Sequence, residues 1–143
     1  MNFIKKYFLV KEISSKDGEL HFRRYRLIEC SFFAIYFHVI YKYDEDNHLH
    51  SHPWNFWSLI LKGGYEETFK SKYNENYETF IRKPFSLGFR FYDDYHRVIR
   101  LFSTTYTLVF CSPRNLNYTW GYDVDGKHVN FNDYRKNKNG ILN

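Results

Sequence analysis

The stretch Phe56-Trp57-Ser58-Leu59-Ile60-Leu61-Lys62-Gly63-Gly64-Tyr65-Glu66-Glu67-Thr68-Phe69-Lys70 decides the class of fold. A strand-length apolar run meets a Gly-Gly pair, and a second run rich in aromatic and β-branched residues follows it. That order predicts a β-hairpin with a two-residue turn at Gly63-Gly64. In this register Lys62 pairs with Tyr65 and Ile60 with Glu67. Glu67 then shares a face with Ile60, and Glu66 points the other way.

The same alternation of short runs and turns extends outward. Upstream, residues 8–13, 20–30 and 32–43 read as strands, with a turn at Ser15-Lys16-Asp17-Gly18. Downstream, residues 77–82, 87–92, 95–102, 106–111, 118–124 and 127–131 continue the series, with turns at Asn74-Glu75-Asn76 and Asp125-Gly126. The composition agrees. Ala34 is the single alanine, Met1 the single methionine, and glutamine is absent, so strong helix formers are scarce. The expectation is an all-β jelly-roll or barrel of about ten strands, with helix limited to a turn near either terminus. No repeat or linker divides the 143 residues. One domain, residues 1–143, is expected, with its core at about 20–131 and a polar tail at 132–143. The tail segment Arg135-Lys136-Asn137-Lys138-Asn139 reads as a frayed end.

Composition also narrows the function. Aromatic residues make up 22% of the chain and charged residues 26%, which fits a packed chain and not a disordered one. No apolar run reaches the roughly 18–20 residues that span a bilayer. The first residues carry no apolar signal region, so the chain is expected to be cytoplasmic, with Cys30 and Cys111 reduced and Asn117-Tyr118-Thr119 unglycosylated. The net charge is +5 (21 basic minus 16 acidic residues), compatible with an anionic ligand. The densest basic cluster, Arg23-Arg24-Tyr25-Arg26, reads as a solvated strand face. Nucleic-acid binding through it ranks last, because no recognised RNA or DNA motif accompanies it.

His48, His50 and His52 alternate, and His96 stands far along the chain. On a strand, alternation puts the first three on one face. Residues two apart lie about 6.5–7 Å from each other, and residues four apart about 13 Å. Metal–imidazole bonds are only about 2.0–2.1 Å. Two neighbouring histidines can therefore share an ion, but three in an extended segment cannot. Pro53 favours an extended His52 and a turn after it, which selects His50 and His52 as the pair. His48 is expected at the rim, and His96 as the third ligand. His21 and His38 are read as structural rings.

Here the chain resembles the cupin superfamily, whose first motif is G-x5-H-x-H-x3-4-E-x6-G. His50 and His52 fill the H-x-H, and Gly63 or Gly64 fills the closing glycine. Asp44 stands in the leading glycine slot, and Phe56 or Trp57 where the glutamate belongs. Pro84, Gly88 and His96 follow the order of the second motif, though not its spacing. The string Leu49–Tyr65, with His96-Arg97-Val98, Ser112-Pro113-Arg114 and Trp120-Gly121-Tyr122, is similar to small cupin-like proteins of phages and microbes. The resemblance covers about residues 30–130. It implies a double-stranded β-helix and a three-histidine site for a divalent transition metal, with Fe(II) favoured and Zn, Ni or Cu as alternatives. Three-histidine cupins of this kind include thiol and diketone dioxygenases.

Glu67 is the candidate to replace the missing glutamate as a ligand, or to serve as an orienting group or general base. By alternation Arg100 shares the face of His96, where it is expected to fix an anionic group, while Arg97 faces away. Arg90 has the same parity as His96. Tyr106 is a candidate phenol donor, and Trp54, Phe56 and Trp57 are candidate cavity walls. The expected function is a mononuclear metalloenzyme, dioxygenase-like or isomerase-like, acting on a small and anionic molecule. The alternative is a non-catalytic cupin that sequesters an anionic metabolite or nucleotide. The partner is a small-molecule ligand, a homodimer is allowed, and no membrane is involved.

Overall fold

The computed structural model describes residues 8–15 and 17–138. Lys16 of the first expected turn, any helical turn before Phe8, and residues 139–143 of the tail lie outside them. Twelve strands are present among the described residues: β1 (Leu9–Ser14), β2 (Leu20–Glu29), β3 (Ala34–Ile40), β4 (Leu49–His50), β5 (Phe56–Lys62), β6 (Tyr65–Lys70), β7 (Glu78–Arg82), β8 (Leu87–Arg90), β9 (Tyr95–Leu101), β10 (Thr105–Cys111), β11 (Gly121–Val124) and β12 (Lys127–Asn130). They form two six-stranded antiparallel sheets, in the orders β1-β2-β3-β10-β5-β8 and β12-β11-β4-β9-β6-β7. From β3 onward the chain crosses repeatedly from one sheet to the other, the path of a double-stranded β-helix. The all-β expectation holds.

The expected hairpin at Gly63-Gly64 does not form. β5 pairs with β10 and β8 in the first sheet, whereas β6 pairs with β7 and β9 in the second. The two glycines turn a corner between sheets. Gly63 has φ +87°, and a Cβ there would stand 2.6 Å from the Thr104 carbonyl oxygen. The Thr105 hydroxyl accepts a hydrogen bond from the Gly64 amide at 2.9 Å and fixes the corner. Ile60 and Glu67 still both point inward, at 0% and 2% exposure, because each sheet turns one face to the interior.

The polar tail is a helix, α1 (Phe131–Lys138), and not a frayed end. Asn130 caps it, accepting from the Asp133 amide at 3.0 Å. Phe131 stacks on Trp120, and Tyr134 on Tyr122 with ring centroids 3.8 Å apart. The helix therefore closes one end of the second sheet.

The apolar interior is split. One cluster joins Ala34, Phe56, Val109 and Cys111; the other joins Ile60, Tyr65 and Val98. Between the sheets lies a cavity of about 560 Å³. Cys111 is buried, Cys30 is exposed, and both are free thiols.

The corner supplies a stability test. Gly126 also has positive φ (+80°), but no atom lies within 4 Å of its missing Cβ. Gly126→Ala should cost about 1 kcal/mol, the backbone term alone. Gly63→Ala adds overlap with the backbone and should cost at least about twice that in urea denaturation. Equal losses would show that the corner is not tightly packed.

Candidate metal centre

β4 is only two residues long, yet it lies between β9 and β11. His50 pairs directly with His96 on one side and with Tyr122 on the other. Alternation then places His50 and His52 inward and Ser51 behind them. The Ser51 hydroxyl accepts from the Gly121 amide at 3.1 Å and from the Tyr118 hydroxyl at 2.8 Å. After Pro53, whose carbonyl accepts from the Asn115 amide, the chain turns into β5.

Ring centroids of His50, His52 and His96 lie 4.7–5.1 Å apart. One ring nitrogen from each falls within 4.8 Å of the other two. His52 Nε2 and His96 Nε2 are 2.8 Å apart. Two nitrogens bound at about 2.1 Å to one ion and subtending a right angle stand about 3 Å apart. The His52–His96 pair stands at that spacing, His50 offers a nitrogen within 4.8 Å of both, and the all-imidazole donor set suits a divalent transition metal. Phe56 packs edge-on against His52 at 5.0 Å, in the region where the cupin motif carries its glutamate.

Glu67 reaches the site from β6 and touches His96 rather than the shared point of the three rings. Its Oε1 lies 2.8 Å from His96 Nδ1. Its Oε2 accepts from Arg90 Nη2 at 3.1 Å and from Arg82 Nη1 at 3.4 Å. Burial alone would raise the Glu67 pKa; the His96 hydrogen bond and the two guanidiniums outweigh burial and bring it to about 2. An ionised carboxylate can only accept, so His96 carries a proton on Nδ1, and Nε2 is the nitrogen that faces the other two rings. Arg82 is itself held by Ser58 and Ser86, and a Cβ at Gly88 would overlap its guanidinium.

Burial holds the other two rings in the neutral form. Burial first, then the neighbouring His96, lowers His50 to about 4. Burial and the adjacent imidazoles push His52 well below its ordinary value. Neutral imidazole is the form that binds a metal.

Several expected residues fall elsewhere. Arg100 is exposed on the outer face, its guanidinium over Phe102. A bulge lets Glu66 oppose Arg100 while Glu67 opposes Val98, which reverses the simple alternation after Val98. Tyr106 is half-buried and stacks on Phe37, whereas Thr105, Thr107, Val109 and Cys111 are the buried face of β10. Trp57 is 47% exposed and packs on Phe89, so only Trp54 and Phe56 of the three aromatics line the cavity. His48 bonds to Tyr134 on α1, away from the trio. Arg24, expected on a solvated face, points into the cavity. The cluster was read as one face, but Arg23 and Arg24 are consecutive in an unbroken stretch of β2 and must point opposite ways. Arg82 was missed as well, since no motif marks a residue that acts through two sheets.

No protein-family model matches the chain, and no curated protein matches it. Solved structures do. A mannose-6-phosphate isomerase-like protein from Ralstonia eutropha JMP134 superposes with TM-score 0.57 at 13% identity, over 64% of this chain and 84% of that one. The fold is that of the cupins. DMSP lyase DddQ from Ruegeria pomeroyi DSS-3 matches with TM-score 0.56 at 18% identity, over 76% of this chain and 55% of the lyase. HppE carrying Fe(II) matches with TM-score 0.53 at 12% identity, over 71% of this chain and 55% of HppE. This cupin-fold chain therefore spans about half the length of the last two. At these identities the likeness speaks for the fold alone.

Two measurements probe the site. Glu67→Gln leaves Arg82 and Arg90 buried without a counter-charge and should cost about 3 kcal/mol. The same change should weaken metal binding roughly 10- to 100-fold. Unchanged affinity would show that Glu67 does not orient His96. The metal-free protein should also lose stability with acid. The unfolded chain protonates His50 near its ordinary pKa of about 6.5, the native state only near 4. Stability is thus complete above pH 6.5 and falls toward pH 4, by about 3 kcal/mol through His50. His50→Asn should flatten that slope in urea titrations across this window; an unaltered slope would contradict it.

Proposed function

We propose that this cupin is a mononuclear metalloenzyme holding one divalent transition metal, with Fe(II) favoured, on His50, His52 and His96. The observation that carries the reading is the convergence of three imidazoles on one point, with Nδ1 of His96 bound to a buried carboxylate. The fold it shares with the solved structures, one of which carries Fe(II), is compatible with the reading. A three-imidazole set leaves the full charge of the ion in place and open positions beside it. Such an ion supplies a Lewis acid and a template for a small substrate.

The chain's own residues do the rest. Glu67 keeps a proton on His96 Nδ1 and Nε2 directed inward. Phe56 and Trp54 exclude water from one side of the rings. Ser51, tied to β11, holds the spacing of His50 and His52. Arg82 and Arg90 hold Glu67 ionised, which assigns it an orienting role and not that of a general base.

Metal analysis of protein purified without a histidine tag tests the reading. About one equivalent of a transition metal is expected, retained on reconstitution with Fe(II) and lost in His52→Ala and in His96→Ala. Less than about a tenth of an equivalent, with no uptake on reconstitution, would remove it. A small molecule that co-purifies and is released chemically unchanged after incubation with the metal-loaded protein would instead favour sequestration.

A further inference from the structure

The first sheet offers the cavity a second polar feature, opposite the histidine trio. Arg24 on β2, His38 on β3 and Thr107 on β10 are direct cross-strand neighbours, Arg24 opposite His38 and His38 opposite Thr107. All three line the cavity. Arg24 Nε donates to His38 Nε2 at 2.9 Å. A guanidinium can only donate, so Nε2 accepts, and the neutral His38 carries its proton on Nδ1. The Thr107 hydroxyl is buried and has no hydrogen-bond partner. The row thus presents donors side by side.

The row also presents unbalanced charge. Arg24 is half-buried, with its guanidinium against the rings of Phe22, Tyr36 and Trp54 at 5.1–5.7 Å. Its two terminal nitrogens have no partner among the described residues, and none of its near neighbours is a carboxylate. Cys111 and Tyr36 are the acids beside it, and burial pushes both upward, Cys111 to about 12, so both are neutral. Lys11 also lines the cavity, and burial and the Arg24 charge lower its pKa. The acids on the opposite rim are engaged. Asp44 accepts from the Val98 amide, Glu45 lies beside His21 and Lys42, and Asp46 takes Tyr122 and Lys138. Arg24 is half-buried and Lys11 stands exposed at the mouth, two like charges without a counter-ion among the described residues, an arrangement that a bound anion relieves.

We propose that Arg24, His38 and Thr107, with Lys11 at the mouth, form an oxyanion subsite that holds the carboxylate or phosphate end of a small substrate across the cavity from the histidine trio. Arg24 makes a two-point contact through its terminal nitrogens, and His38 Nδ1 and the Thr107 hydroxyl donate to the same group. Trp54 lies between the two subsites, stacked on His52 at 6.2 Å and under Arg24 at 5.6 Å. The span of one side chain limits the substrate to a short molecule with an anion at one end and a metal-binding donor at the other. The proposal takes the cavity to be a substrate site, as argued above, but does not need the metal itself.

Isothermal titration of the purified protein at low ionic strength, with inorganic phosphate and with propionate as probes, tests it. At least one probe should bind, and the tighter one tells phosphate from carboxylate chemistry. Arg24→Met should weaken binding about tenfold or more, the loss of a charged contact, with metal content unchanged. Thr107→Val removes an unpartnered hydroxyl at nearly constant volume. It should leave the thermal midpoint unlowered while reducing affinity at least about threefold, the value of one neutral hydrogen bond. His52→Ala separates the two readings. Anion binding that survives there supports this subsite even if the metal reading fails. Binding of neither probe, affinity indifferent to both first-sheet substitutions, or binding lost only in His52→Ala would overturn the proposal.

Discussion

A carboxylate at 2% exposure carries a full charge into the wall between the sheets, and the site depends on keeping it there. Removing such a charge from water costs several kcal/mol, which one neutral hydrogen bond does not offset. Three donors share the task. Arg90 comes from the first sheet, Arg82 and His96 from the second, and Glu67 itself from the second. Arg82 reaches across to the carbonyl of Ser58 on the first sheet. The bonds that fix the charge therefore also tie the two layers together beside the histidines. Gly88 is required at that place because any side chain would occupy the position of the Arg82 guanidinium. One ion-pair network thus does two things: it closes the barrel wall, and it decides which nitrogen of His96 faces the cavity.

Much of this was legible in the sequence, where a local rule was enough. The class of fold followed from short β-rich runs and the near absence of helix formers. The pairing of His50 with His52 as candidate ligands followed from strand geometry, since residues two apart are as far apart as two ligands of one ion on a strand can be. His96 was readable as the distant partner because it is a histidine in a later strand. The structure makes it the direct cross-strand neighbour of His50. What failed were inferences carried across an irregularity. Arg100 was assigned inward by counting from His96, and one bulge reversed the count. Gly63-Gly64 was read as a hairpin because a Gly-Gly pair between strands fits a tight turn and an inter-sheet corner equally well. The helix at the tail had a visible signal, Asn130 followed three residues later by Asp133, which charge and polarity obscured.

The missing motif glutamate is informative in the same way. In its place Phe56 packs against two of the histidines, and the carboxylate enters from β6 instead. A carboxylate there reaches His96 Nδ1 and not the point shared by the three rings. The negative charge is retained at one remove from any ion, neutralised by arginines. Its influence passes through the imidazole, by orientation and basicity, and leaves an additional position beside the ion for an outside ligand.

The division of labour between the sheets follows from these placements. The second sheet contributes His50, His96 and Glu67, with His52 on the segment just after β4; the first contributes Arg24, His38 and Thr107. Among the described residues the buried apolar side chains gather chiefly in two small clusters. A chain of 143 residues buries limited apolar surface, and filling this cavity with leucine or isoleucine would stabilise it. The chain instead lines the space with a hydroxyl that bonds to nothing, a cation without a counter-ion among the described residues, and two rings, His50 and His52, that burial keeps neutral. Each of these is unfavourable to folding taken alone. Together they fit the proposed occupant, metallic on one wall and anionic on the other.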